Sequence, residues 1–557
     1  MAQRVRIVGG VAGGASCAAR LRRLSEDAEI VVFDRGPYVS FANCGLPYHV
    51  GDVIPDERQL LVASPELFRD RFAIEVRIES EVLSVDVQKR EIEVEDRREG
   101  RRYREPYDAL VLAPGGAPIR PPLPGIDAPG IFSLRTIPDS RRIRAWLAEH
   151  QATQAVVVGG GFIGLEMAEN LAHRGLAVTL VEQLPQPLPP LDPEMAVPVA
   201  GHLRARGVDL RLGDAVAAFE LTSSGRLRVR TASGAELSAD VVILGLGVKP
   251  ETTLARGAGL ALGPSGGIRV DERMQTSDPH VWAVGDAVEV VHVVSGTPHI
   301  LPLAGPANRQ GRLAADAIAG REPRFRGVQS TSVCGAFGLV IAQTGASERG
   351  LRAAGAEGFE SIYLHPGHHV GYFPGARPIH LKLIFQKPGG RLLGAQAVGE
   401  EGVERRIDVL ATAIQLGATV FDLEEAELCY APQFGAAKDP VNMAGMIAAN
   451  HLRGDLPLAD WRSVGETDAL LVDVREPAEF AAGHLEHAVN LPLSELRRRS
   501  DELPRDRELW VYCQAGQRSY YALRALRQWG YDVRNLPGGY ETWNAFRELG
   551  PSAGSSR

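Results

Sequence analysis

The chain has few cysteines, almost no lysine and no long apolar run, and each shortage removes a class of protein. Five cysteines, at 17, 44, 334, 429 and 513, are spread over 557 residues. Their odd number and wide spacing exclude a disulfide-stapled scaffold and the paired spacing of a zinc site, so no metal is expected. Lysine occurs only at 89, 249, 382, 387 and 438, and a net charge of −8 offers no electrostatic footprint for nucleic acid. The arginine-rich run Arg97-Arg98-Glu99-Gly100-Arg101-Arg102 carries its own acid and reads as a solvated hairpin. No stretch reaches the roughly 18 uninterrupted apolar residues of a membrane span. An apolar strand begins within the first six residues, leaving no room for a secretory leader, and the expected location is the cytoplasm.

Glycine is abundant, and it heads an internal repeat. Arg6-Ile7-Val8 runs into Gly9-Gly10-Val11-Ala12-Gly13-Gly14, and the next apolar strand, Ile30 to Phe33, ends in Asp34. The pattern recurs as Ala155 to Val158, then Gly159-Gly160-Gly161-Phe162-Ile163-Gly164-Leu165-Glu166, with a second strand, Val178 to Val181, ending in Glu182. Strand, glycine turn and helix start make a pyrophosphate cradle, and the acid accepts from a ribose hydroxyl. Two copies specify two dinucleotide sites. Val11 stands where the first copy should have its second glycine, a departure that Gly13 and Gly14 offset.

Thr276 to Asp286, closing on Val284-Gly285-Asp286, resembles the second flavin motif of the pyridine nucleotide–disulfide oxidoreductases, and Ala109 to Gly116 resembles their crossing between nucleotide domains. The resemblance implies FAD on the first repeat, held by Gly9, Gly13, Gly14, Asp34, Ala113, Gly285 and Asp286, and a nicotinamide dinucleotide on the second, held by Gly159, Gly161, Gly164 and Glu182. Glu182 would repel a 2′-phosphate, so NADH is expected, with NADPH the alternative if an arginine lies near.

A length prior of one domain per roughly 150 residues gives three or four domains. The expected fold is α/β: two Rossmann-like dinucleotide domains, an α+β segment opening at Gln329 to Phe337 that the family resemblance makes the dimerisation domain, and a C-terminal α/β module whose residues resemble a rhodanese domain. The divisions are 1–112 with 245–325 for FAD, 113–244 for NAD(P)H, 326–448 for dimerisation, 449–463 as a linker, and 464–557 for the last module. The last assignment comes from Leu470 to Glu476, Gly483-His484, and Leu509 to Tyr512 leading into Cys513-Gln514-Ala515-Gly516-Gln517-Arg518-Ser519. A cysteine between strand and helix, in a loop closing on arginine, makes a cradle of N–H groups for a thiolate or persulfide. The module resembles a rhodanese, which makes Cys513 the sulfur carrier and Arg518 the loop-closing cation. A linker around Gly454 would let this module approach the first domain and relay sulfur inward.

The remaining cysteines divide by context. Cys17, on a helix face, and Cys334, in a strand-like run, read as packing residues, and Cys429 has no assigned role. Cys44 lies in Ser40-Phe41-Ala42-Asn43-Cys44-Gly45-Leu46-Pro47-Tyr48, which resembles the active site of the coenzyme A disulfide reductases; the whole chain resembles their fusions with rhodanese. The resemblance implies that Cys44 is the nucleophile, resting as a mixed disulfide with coenzyme A. It also implies that Ser16, Arg20, Arg23, Ser40, Asn43, Asn308 and Lys438 contact the coenzyme, and that Tyr430, Tyr372 and Lys438 reach in from the partner of a homodimer. Independently, Arg20 and Arg23 share a helix face suited to a polyanion. A Cys44 pKa below that of an ordinary thiol is expected, since the thiolate is the reactive form. The expected activity is NADH-driven reduction of a coenzyme A persulfide, polysulfide or disulfide. Two other readings stay open: an NADH oxidase or peroxidase cycling Cys44 through sulfenic acid, and a sulfurtransferase with a redox-sensing flavin part.

Overall fold

Strand Arg4–Val8 is β-branched and almost wholly buried, as suits a central parallel strand covered on both faces. It lies inside a five-stranded sheet of order Val281–Ala283, Ala109–Leu112, Arg4–Val8, Glu29–Phe33, Glu75–Arg77. All these pairings are parallel. The chain is described by a computed structural model over residues 2–223 and 225–549. It forms two bodies, 1–185 with 207–328, and 186–206 with residues from 329 onward. Residues 550–557, assigned by sequence to the last module, lie outside the described residues.

In the first body, helix Ala12–Arg22 follows the opening strand and packs on helix Ala304–Ile318. A Cβ on Gly311 would fall 2.1 Å from the carbonyl oxygen of Gly13, so the two helices touch backbone to backbone. The second sheet repeats the design, ordered Asp209–Leu212, Ala177–Glu182, Gln154–Val158, Val241–Leu244, Ile131–Phe132. The arginine-rich run turns between antiparallel strands Glu91–Asp96 and Arg101–Pro106.

The second body holds a five-stranded antiparallel sheet of order Ser332–Ala336, Leu339–Gly345, Leu392–Gly399, Ile379–Gln386, Phe359–Leu364. A four-stranded parallel sheet follows, ordered Val489–Asn490, Leu470–Asp473, Leu509–Tyr512, Val533–Asn535. Residues 186–206, grouped by sequence with the second nucleotide unit, pack here. The reason is Lys382, wholly buried, whose ammonium meets Asp192 at 2.8 Å, Glu194 at 2.5 Å and Glu348 at 3.0 Å. A buried ammonium requires such partners.

The segment 449–463, expected to be a linker, is a packed join. Helix Pro440–Leu452 runs through its start, and Leu456, Ala459 and Trp461 are buried. Trp461 Nε1 donates to Pro537 O at 2.7 Å, and Arg462 pairs with Glu348 at 3.2 Å. His365 is hydrogen-bonded to Thr542 at 2.8 Å, and Tyr363 meets Phe546 edge to face. The last module is thus held on the antiparallel sheet, and a swing about Gly454 is not supported. Gly454, at the centre of the expected linker, has a positive φ of 78° that follows the end of the helix.

Candidate functional site

Two thiol sites are built, one in each body. In the first, Val8, Gly9, Val11, Gly13, Asp34, Cys44, Ala113, Gly115, Arg135, Gly285 and Asp286 share the lining of one cavity of about 470 Å³. Gly9 has φ +93°, and a Cβ there would sit 2.1 Å from the oxygen of Ala113; a Cβ on Gly14 would sit 1.9 Å from the oxygen of Gly9. The turn can pack this closely against the crossing at Ala113 and against the helix start only because these positions are bare. Val11, at φ −91° and ψ −111°, has a negative φ but lies outside the ordinary helical and extended regions. The Asp34 carboxylate accepts N–H bonds from Gly10 at 3.0 Å and Gly36 at 2.9 Å while facing the cavity. Asp286 accepts from Arg135 at 3.3 Å, and Gly285 donates to Gln310 at 2.7 Å. A dinucleotide fits this lining.

The second cradle repeats the first. A Cβ on Gly164 would fall 1.9 Å from the Gly159 oxygen, and Gly161 caps helix Phe162–His173. The buried Glu182 accepts from Gly160 N–H at 2.6 Å and Leu184 N–H at 2.8 Å.

Cys44 opens onto the cavity between Asn43 and the short helix Leu46–Val50, its Sγ 3.8 Å from Asn43 Oδ1. Its pKa is raised, first by the protein packed behind it, then by the carboxylates Glu166 and Asp286, with Arg135 opposing. The expected lowering is therefore not supplied by the groups of this chain around the thiol. Glu166 itself is pushed up to about 7, chiefly by burial, with a hydrogen bond from Tyr48 pulling the other way. Above that pH it carries charge and disfavours the thiolate. Glu166→Gln is thus expected to speed alkylation of reduced Cys44 by iodoacetamide several-fold above pH 7, the gap closing below it. Equal rates at pH 8 would contradict this coupling.

Of the residues expected around coenzyme A, Ser16 donates to Asn308 at 2.5 Å, and Ser40 and Asn43 flank the Cys44 turn. Arg20 departs from its expected role as a free cation. It is mostly buried and paired with Asp316 at 2.8 Å, so its charge is already balanced, while Arg23 is exposed. Tyr372, Tyr430 and Lys438 belong to the second body; the two hydroxyls are 2.7 Å apart on an exposed face, and Lys438 is exposed on the same loop as Tyr430.

At the second thiol site, Cys513 ends strand Leu509–Tyr512, and Gly516 N–H donates to its Sγ at 3.1 Å. Gly516 has φ +94°, the conformation that turns the loop into helix Gln517–Gln528. Arg518 is within hydrogen-bond reach of the Cys513 sulfur, but its guanidinium is also held by Glu479 at 2.6 and 2.7 Å. Sequence reading missed Glu479, Arg135 and the Glu166–Tyr48 pair. Only Glu166, two residues past Gly164 in the second motif, carried a local signal.

Family models match three consecutive stretches: pyridine nucleotide-disulphide oxidoreductase over 3–311, the dimerisation domain of that family over 332–439, and a rhodanese-like domain over 459–546. The coenzyme A disulfide reductase of Staphylococcus haemolyticus is 33% identical over 444 residues, 80% of this chain and 98% of that one. The structure of reduced Bacillus anthracis CoADR-RHD is 45% identical with a TM-score of 0.96, covering 99% of each chain. The NAD-dependent persulfide reductase from A. fulgidus is 37% identical with a TM-score of 0.90, covering 97% of this chain and 100% of that one. Among the described residues no helix is long and apolar enough to cross a membrane. Repeat, cradles and matched models agree: the chain belongs to the pyridine nucleotide-disulphide oxidoreductase family and carries a rhodanese-like domain after its dimerisation domain.

Proposed function

We propose that this protein is a cytoplasmic homodimer that reduces coenzyme A disulfide and coenzyme A persulfide with NADH, through Cys44. The observation that carries the reading is the lone thiol on a cavity bounded by Gly9, Asp34 and Asp286, with no second cysteine among its lining residues. A lone thiol must form its disulfide with a molecule from solution. FAD, when bound in that cavity, supplies the two-electron step between nicotinamide and sulfur. Asp34 would hold its ribose, Asp286 its ribityl chain and Gly9, Gly13 and Gly14 its pyrophosphate.

The Cys44 thiolate attacks the sulfur of the disulfide that bears coenzyme A. A Cys44–S–S–coenzyme A bond forms, and the other sulfur leaves as a coenzyme A thiolate from the disulfide or as HS⁻ from the persulfide. Two electrons from NADH then cleave the mixed disulfide, returning the Cys44 thiolate and releasing coenzyme A. The balance is one NADH and one proton per sulfur–sulfur bond. Ser16, Ser40, Asn43, Asn308 and Arg23 would position the coenzyme, and Tyr372, Tyr430 and Lys438 of the partner subunit would complete the pocket. Cys513 would carry sulfane sulfur supplied from outside.

The test is stoichiometry under anaerobic conditions. Coenzyme A persulfide should yield one sulfide and one coenzyme A per NADH, and coenzyme A disulfide two coenzyme A. NADH oxidation that requires oxygen and releases neither product would support the oxidase reading instead. The buried Glu182 would sit against a 2′-phosphate, so NADH should have the higher kcat/KM. Glu182→Ala should narrow that preference by about tenfold, the equivalent of about 1.4 kcal/mol. A wild-type preference for NADPH would contradict this reading.

A further inference from the structure

The two tyrosines assigned to the coenzyme pocket sit on irregular loops. Tyr372 lies between strands Phe359–Leu364 and Ile379–Gln386, and Tyr430 between helices Val420–Glu424 and Pro440–Leu452. They are 74% and 45% exposed, so burial does little to fix them, yet their hydroxyls meet at 2.7 Å.

Two consecutive arginines on helix Val403–Leu416 supply the order. Arg406, 1% exposed, donates from Nη2 to His368 O at 2.8 Å, at the base of the Tyr372 loop, and to Asp439 Oδ2 at 2.9 Å, where the Tyr430 loop ends. Arg405 donates from Nη1 to Phe434 O at 2.9 Å and from Nη2 to Cys429 O at 3.3 Å. Its planar fork therefore spans the segment that carries Tyr430. The two loops also meet directly, Val370 N–H donating to Gly435 O at 3.1 Å. Arg405 stands 3.5 Å from Asp439, but that carboxylate already accepts from Arg406 and from Val441 N–H. The shorter bonds of Arg405 go to the loop carbonyls.

We propose that Arg405 is a positioning residue, which clasps the loop at Cys429 and Phe434 and so sets the Tyr372–Tyr430 hydroxyl pair at one place in the coenzyme pocket. The inference rests on the reading that these tyrosines complete the pocket of the partner subunit, and names what aims them. A charged donor makes a stronger bond to a carbonyl than a neutral one does. An exposed loop without such ties opens at little cost, which lets the hydroxyls part. A shift of about 1 Å in a positioned group lowers turnover by as much as about a hundredfold.

The test is a double-mutant cycle on the full-length, FAD-containing protein with coenzyme A disulfide as substrate. Tyr430→Phe should lower kcat about tenfold and Arg405→Ala several-fold, with flavin content unchanged in both. Added to Tyr430→Phe, Arg405→Ala should cost nothing further, because the hydroxyl it aims is gone. The Arg405 side chain is 33% exposed, so guanidinium ion at millimolar concentration should enter from solution and restore Arg405→Ala but not the double variant. Arg405→Gln, with one neutral amide in place of the fork, serves in the cycle if the alanine variant does not retain flavin. A wild-type kcat in the Arg405 variants alongside a slow Tyr430→Phe, losses that multiply in the double variant, or no rescue of Arg405→Ala each overturn the clasp. Wild-type turnover in Tyr430→Phe overturns instead the placing of that tyrosine in the pocket, and the clasp with it.

Discussion

Cys44→Ser should reduce turnover of coenzyme A disulfide and coenzyme A persulfide to less than about a tenth of wild type while FAD stays bound. Serine keeps the size and the hydrogen-bonding capacity of the site, but an alcohol is not ionised near neutral pH and cannot form the mixed disulfide. The cavity lining that would hold FAD comes from Gly9, Asp34, Ala113 and Asp286, so flavin content should not follow the thiol. Each tenfold of lost rate corresponds to about 1.4 kcal/mol of barrier, and loss of a covalent nucleophile should exceed that several times over. Flavin absorbance and NADH consumption measured on the same sample separate the two properties. Turnover above a tenth of wild type would remove Cys44 from the mechanism.

Gly14→Ala should yield protein without flavin, and Gly164→Ala protein that keeps flavin but no longer reduces it with NADH. Both added methyl groups would fall 1.9 Å from a carbonyl oxygen, of Gly9 in the first motif and of Gly159 in the second. Neither oxygen can retreat cheaply, because Gly9 and Gly159 are fixed at φ +93° and +105° in the turns that expose the helix N-termini. The same clash should thus give two phenotypes according to which dinucleotide the turn serves. The flavin-to-protein absorbance ratio after gel filtration, followed by anaerobic addition of NADH, reads both. Full flavin in Gly14→Ala, or normal bleaching in Gly164→Ala, would contradict the assignment of the two cradles.

The duplicated nucleotide motif was legible because its parts are local: a buried strand, a turn that tolerates only glycine, and an acid one strand later. Val11 shows that the turn forms without its second glycine, its backbone holding a negative φ with ψ at −111°. The thiol sites were legible as cysteines and loops but not as electrostatic environments, because the groups that set their charge come from distant segments. Glu166 is 122 positions from Cys44 in the chain, and Glu479 reaches Arg518 from 39 positions away. Arg20 illustrates the converse: helical spacing put it on a promising face, and Asp316, 296 positions on, had already taken it. The expected linker failed for a related reason. The polar run around Gly454 and Pro457 resembles a tether, while the buried side chains of Leu456, Ala459 and Trp461 make it part of a packed body.

Intact mass of the protein as isolated, before and after dithiothreitol, tests the central claim most directly, since the proposed resting state is a mixed disulfide on Cys44. The expected result is a mass higher by coenzyme A, lost on reduction and absent from Cys44→Ser. A mass higher by oxygen alone, or an adduct that persists in Cys44→Ser, would contradict it and move the chemistry to a sulfenic acid or to another cysteine.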